Sequence, residues 1–208
     1  MSGMLLVVCG HLMAQQPARA QLERFADGLE TYSAQFEQRV LGSDGRVEDQ
    51  SAGTVWLSQP HFIRWEYGGE FPELVVADGQ HVWIYDEALE QVTVKPQSDF
   101  VADSPLSLLT DISKLDEQFE VREAGDMDGM SLLELRSVDA EAEFERILLG
   151  LQGDDLKLMT MEDAFGLRTE IRFSRPQRNQ ELDSKLFSFV PPDGVDIVGD
   201  LESESSAQ

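Results

Sequence analysis

Apolar and polar positions change period several times along the chain, and each change marks an element. Leu22, Phe25, Ala26 and Leu29 recur at helical spacing, which predicts an amphipathic helix over Gln21–Tyr32. Alternation of period two then takes over. It predicts strands at Ser33–Leu41, Val47–Leu57, Phe62–Tyr67, Glu73–Ala77, His81–Tyr85 and Gln91–Val94. Gly42-Ser43-Asp44-Gly45 and Asp78-Gly79 are turn signals between them, and Pro60 breaks another pair. After Pro96 the helical period returns. Ser104-Pro105 supplies a cap and a first-turn proline, and Leu106, Leu109, Ile112 and Leu115 share one face. Strands resume at Phe119–Ala124, Ser131–Ser137, Arg146–Leu151, Leu156–Glu162 and Leu167–Arg175. Leu186–Val190 reads as a short strand before the Pro191-Pro192-Asp193-Gly194 turn, with Val195–Val198 a candidate last one. This is a mainly β, single-domain pattern of about eleven antiparallel strands with two helices. Such spacing suits a strongly curved sheet closing toward a barrel, its leucine-rich helices on the concave side.

One stretch departs from simple alternation. In Val55–Leu57, Leu74–Ala77 and Val82–Tyr85, neighbouring residues that point to opposite faces are all apolar. An antiparallel sheet normally leaves one face wet. A sheet apolar on both faces must cover both, or use one to hold something apolar. All three tryptophans, Trp56, Trp65 and Trp83, lie here.

Charge removes several function classes. The 208 residues carry 40 Asp and Glu against 16 Lys and Arg, a formal net charge of −24. Such a surface repels phosphate backbones and anionic lipid, which excludes nucleic acid as a partner. Lysine is scarce, at Lys95, Lys114, Lys157 and Lys185. An acid-rich, lysine-poor surface suits high salt, and a marine or halophilic source is the matching expectation. At the N-terminus the apolar run Met4–Met13 is too short to span a bilayer, and Ala18-Arg19-Ala20 has the small-x-small form of a secretory cleavage site. The expected division is a leader at 1–20, one domain at 21–200 and an acidic tail at 201–208. The single cysteine, Cys9, falls in the leader, so the mature domain is expected to hold no disulfide.

Catalytic patterns are lacking. His61 and His81 are the only histidines after the leader, with no metal-ligand spacing, and no G-x-S-x-G elbow or phosphate loop occurs. Gly125–Gly129 and Gln152–Asp155 read as hairpin turns, not calcium loops. No enzyme, cofactor or metal is expected. What remains is apolar surface: Phe36, Trp56, Phe62, Trp65, Tyr67, Trp83, Tyr85, Phe144, Met159, Met161 and Phe173 fall mostly on strands. As a set they favour a concave apolar cavity over a merely packed core.

The order of motifs is similar to the LolA family of periplasmic lipoprotein carriers. The matching pieces are Trp56-x-x-x-Pro60-x-x-x-x-Trp65, Leu74-Val-Val-Ala-Asp-Gly79 with Trp83 and Tyr85, then Glu90-Gln91. Ser33–Gln38 (SAQFEQ), Ser104-Pro105 and Phe187–Val195 (FSFVPPDGV) fit as well. The resemblance implies an incompletely closed antiparallel barrel with a helical lid over an apolar cavity. It implies a monomeric periplasmic chaperone that takes the acyl chains of lipoproteins from an inner-membrane ABC releasing complex and hands them to the outer-membrane receptor LolB. Carried over by position, Leu22, Phe25 and Leu29 belong to the first lid helix and Leu106, Leu109 and Ile112 to the second. Ile63, Trp65 and Tyr67 would form the cavity wall. Trp83 and Tyr85 are placed there too, with Val82 and Ile84 as the alternative inward pair. Where familiar members carry a lid-fastening arginine before the proline, this chain has Gln59, which implies a looser lid. Two alternatives stay open: the lipid-anchored receptor of the same pathway, and a periplasmic scaffold or sensor domain binding a protein partner.

Overall fold

A computed structural model describes residues 16–98, 112–140 and 142–199. One helix, α1 (Ala18–Ala26), leads into β1 (Thr31–Leu41), β2 (Val47–Ser58), β3 (Phe62–Gly68), β4 (Glu73–Ala77), β5 (His81–Asp86) and β6 (Gln91–Pro96). A short 3-10 turn (Ile112–Lys114) and α2 (Leu115–Gln118) precede β7 (Phe119–Met127), β8 (Met130–Ser137), β9 (Arg146–Gln152), β10 (Asp155–Glu162) and β11 (Arg168–Arg178). A second 3-10 turn (Ser184–Phe187) and β12 (Asp196–Gly199) complete the described chain. The strands form one sheet in the order β12-β6-β5-β4-β3-β2-β1-β11-β10-β9-β8-β7. Neighbours are antiparallel except β12, which runs parallel to β6. Among the described residues β12 and β7 end the sheet and do not pair with each other, so the barrel is open.

Register sorts the side chains into two faces. On β3, Ile63, Trp65 and Tyr67 stand opposite Ala77, Val75 and Glu73 of β4, which in turn meet Val82, Ile84 and Asp86 of β5. That face continues through Val55 and Leu57, Ala34 and Phe36, Ile171 and Phe173, and on to Leu133, Leu135, Ile147 and Leu149. α1 packs its Leu22 and Phe25 into the same cluster, against β8, β9 and β10. This is the concave, helix-covered side.

The opposite face of β4–β6 carries Leu74, Val76, Trp83, Tyr85, Val92 and Val94. It is covered by the chain's own C-terminal arm. Phe187 packs on Phe62 at 5.8 Å and Phe189 lies 5.8 Å from Trp83 and 5.9 Å from Tyr85. Under this cover Val76, Val92 and Val94 are fully buried. On the doubly apolar strands the arm supplies the outer cover, while Ala77 and Val82 are buried on the inner side in the cluster that α1 joins from β8–β10.

Two expectations are corrected by local chemistry. The leading helix runs over Ala18–Ala26, because Gly28 turns the chain at φ 62° and Thr31 already pairs in β1. Leu186–Val190 does not form a strand: Asp183 Oδ1 accepts from Lys185 N at 2.9 Å and starts a 3-10 turn, while Pro191 and Pro192 supply no ladder donors. The candidate strand at Val195–Val198 is real, and it brings the count to twelve. Leu106 and Leu109 of the second lid helix, and the tail at 201–208, lie outside the described residues.

Candidate functional site

The inner face of β1, β2, β3 and β11 is an aromatic wall. Trp65 is 2 % exposed, with the Phe36 ring 4.5 Å away, Phe173 edge-on at 6.2 Å and Tyr67 at 6.3 Å. Gly53 on β2 makes room for this stack. A Cβ there would run into the Glu66 carbonyl oxygen and lie 2.8 Å from Phe36 Cζ. Tyr67 donates its hydroxyl to Gln38 Oε1 at 3.1 Å, and burial followed by the nearby Glu73 carboxylate pushes that hydroxyl up to about 12. Tyr32, edge-on to Phe25 at 5.4 Å, keeps a buried hydroxyl with no hydrogen-bond partner in the described fold.

The sequence-derived site residues divide by face. Ile63, Trp65 and Tyr67 are on the concave side, and Leu22, Phe25 and Leu29 are buried against it from α1 and its following linker. Ile112 packs on the edge of the same cluster. Trp83 and Tyr85 are not there. Pairing of Ile84 with Val75 and Val82 with Ala77 puts the even residues of β5 inside, so both aromatics turn outward to Phe189. Asp78 fixes Trp83 on that side, its Oδ2 accepting from the indole Nε1 at 2.7 Å. The ambiguity was intrinsic, since both faces of β5 are apolar. Arg64 also points outward, pairing with Glu66 at 3.0 Å and donating to the Leu186 carbonyl at 3.3 Å.

Gln59 sits in the β2–β3 turn beside the α1–β1 linker, its backbone N–H donating to the Glu30 carbonyl at 2.8 Å. The polar groups that hold α1 itself were missed by sequence reasoning. Arg178, at the end of β11, donates to the Phe25 carbonyl at 2.7 Å, to Asp27 at 3.4 Å and to Arg24 at 3.5 Å. Its guanidinium also lies 5.4 Å from the Phe25 ring centre. The carbonyls of a helix C-terminus lack intrahelical partners and carry partial negative charge, so an arginine there meets both needs. No local pattern signals this contact, because its partners are about 150 positions apart.

A trough of about 1170 Å³ lies on the other side of the sheet, its outward side chains including Gln35, Glu37, Arg39, Glu170 and Arg172. Its lining is mixed, with Phe71 and Ala52 beside these charged side chains. The inner face is apolar but filled, with Leu22 and Phe25 only 1 % exposed. Among the described residues no cluster of His, Cys, Asp and Glu could hold a metal, and no helix is long and apolar enough to cross a membrane.

An open β half-barrel with an apolar, aromatic inner face and a helix packed across it is the architecture of a carrier for apolar cargo. The sequence profile described as "Outer membrane lipoprotein carrier protein LolA" matches residues 27–190. The chain is 39% identical over 189 residues to an outer-membrane lipoprotein carrier protein of Dechloromonas aromatica, covering 91% of each. To the protein of that name from Xanthomonas campestris pv. campestris it is 43% identical over 187 residues, covering 89% of this chain and 90% of that one. A solved structure of an uncharacterized conserved protein from Thermus thermophilus shares the fold, with a TM-score of 0.57, 16% identity, and coverage of 87% and 98%. The chain belongs to the LolA family of outer membrane lipoprotein carrier proteins.

Proposed function

We propose that this protein is a periplasmic chaperone that shelters the acyl chains of lipoproteins between the aromatic inner face of the sheet and α1. The observation that supports the reading is the continuous apolar inner face, against which, among the described residues, α1, Ile112 and Leu115 pack. Each buried CH₂ contributes roughly 0.8 kcal/mol, so a shielded surface is what acyl chains need to cross water. Because α1 fills the space in the closed form, cargo must displace Leu22 and Phe25 and take over their contacts. Such an exchange keeps net affinity modest, which lets a tighter receptor withdraw the cargo. The buried Tyr32 hydroxyl is a donor available to an ester carbonyl at the head of the chains.

The proposed wall comprises Ile63, Trp65 and Tyr67, with Leu22, Phe25 and Leu29 from the α1 side, Ile112 at the edge, and Leu106 and Leu109 from the second lid helix. Gln59 is proposed to tune lid opening through the linker it touches. Loading from an inner-membrane ABC releasing complex and delivery to LolB belong to the same proposal. The test is mixing with a detergent-free triacylated lipoprotein and isolating the soluble complex. The expected result is a complex that the unacylated polypeptide does not form. Equal binding of the unacylated form, or no complex, would overturn the reading.

A further inference from the structure

The N-terminal residues just before Gln21 are tied into the fold more tightly than a discarded leader would be. Ala18 is fully buried, and its backbone N–H donates to Glu123 Oε2 at 2.8 Å. The next N–H, of Arg19, donates to the other oxygen of that carboxylate at 3.1 Å. Glu123 of β7 therefore caps the start of α1, where Pro17 supplies no side-chain cap of its own. The Arg19 guanidinium forks onto both oxygens of Asp116 in α2, at 2.8 and 2.6 Å, and reaches Glu23 at 3.2 Å. One residue earlier in the helix register, the Gln16 carbonyl accepts from Gln21 Nε2 at 2.7 Å and from Ser131 Oγ at 3.2 Å. These contacts join α1 to the segment that follows Leu106 and Leu109, and to the β7–β8 edge.

A cut after Ala20 would remove the capped N–H groups, the Arg19 fork and the Gln16 carbonyl together. It would also create a charged amine on Gln21, a residue 2 % exposed whose N–H now bonds the Pro17 carbonyl at 3.2 Å. We infer that processing occurs upstream of Gln16, and that Gln16–Ala20 remains in the mature protein as a clasp fastening α1 through Arg19, Asp116 and Glu123. Between the apolar run ending at Met13 and Gln16, the only small residue is Ala14. Hydrolysis of the Ala14–Gln15 peptide bond by a leader peptidase consumes one water and leaves a carboxylate on Ala14 and a free amine on Gln15. The inference stands on the leader and on α1's contacts, so it is independent of what the inner face binds.

Intact-mass measurement on the full precursor, exported and processed by a Gram-negative host, tests the cut. A mature chain beginning at Gln15 or within one residue of it is expected, and one beginning at Gln21 would overturn the inference. Hydrogen exchange tests the clasp separately. Arg19→Gln and Asp116→Asn are each expected to raise exchange of the α1 amides about two- to fivefold at low salt, with little change in β9 or β10. In the unaltered protein, high salt is expected to reproduce part of the effect. Unchanged α1 exchange in both variants would show that the contacts do not fasten the helix.

Discussion

Replacing Arg178 by alanine probes how α1 is held. The side chain makes one short charged hydrogen bond to the Phe25 carbonyl at 2.7 Å, weaker ones to Asp154, Asp27 and Arg24 at 3.2–3.5 Å, and a cation–π contact with Phe25 at 5.4 Å. A charged hydrogen bond contributes about 1.5–3 kcal/mol, and a cation–π contact at an exposed site about 0.5–1 kcal/mol. Arg178 is partly buried and still reached by solvent, so screening trims the sum, and a total loss of about 2 kcal/mol is expected. In a protein of this size that corresponds to a fall in Tm of about 4–8 °C. If the loss is local to the helix, exchange of the α1 amides should rise about 30-fold while β8–β10 amides change less. Arg178→Lys keeps the charge but not the planar fork, and should recover less than half of the loss. Thermal unfolding together with hydrogen exchange measures both. An alanine variant within about 0.5 kcal/mol of the parent, with unchanged α1 exchange, would refute the assignment.

Glu73 and Asp86 are direct cross-strand partners; burial, then the Asp86 charge, raises the Glu73 pKa. A carboxyl raised on folding contributes stability only at low pH and loses it as pH rises. Glu73→Gln should therefore raise stability at pH 7 by about 0.5 kcal/mol, the gain disappearing below about pH 4; an equal gain at pH 4 would point to another cause. Burial raises the Tyr67 hydroxyl to about 12 and also pushes the Tyr32 hydroxyl up, so unfolding should become easier from about pH 10 upward as the unfolded chain ionises first. Denaturation midpoints for Tyr67→Phe should show a shallower fall over that window, and an identical pH profile would count against the burial argument. Gln59→Arg should slow transfer of bound lipoprotein to the receptor, through extra donors to the linker carbonyls beside Glu30. Unchanged transfer kinetics would remove Gln59 from lid control.

Most of the strand framework was legible because period-two alternation and turn residues act locally. Asp78-Gly79 and Gly153-Asp154 close their hairpins as their chemistry dictates, with Gly79 at φ 96° and Gly153 at φ 64°. The inward face of β3 could be read from Ile63, Trp65 and Tyr67, since the residues between them are Arg64 and Glu66. β5 could not be read that way. With Val82, Trp83, Ile84 and Tyr85 all apolar, only the pairing to β4 and the arrival of Phe189 decide which pair turns out. The C-terminal arm was misread for a related reason. The apolar residues of Leu186–Val190 look like a strand because they do have a sheet to cover, but they cover it from outside as a turn and extended segment. The helix fasteners Arg19, Arg178, Asp116 and Glu123 were hidden because each contact spans roughly 100 or more positions.

The division of the tryptophans between the two faces supplies the most direct test of acyl-chain binding on the inner wall. Trp65 is the one tryptophan that faces inward, whereas Trp83 is stacked on Phe189 outside and Trp56 pairs with outward-facing Arg64. Two single-tryptophan proteins, one keeping Trp65 and one keeping Trp83, can be loaded with a lipoprotein whose acyl chains carry bromine. Bromine quenches indole fluorescence only at close range. Strong quenching of Trp65 with Trp83 unaffected is the predicted result. Quenching of Trp83 alone, or of neither in a complex that has demonstrably formed, would contradict placement of the chains on the inner face.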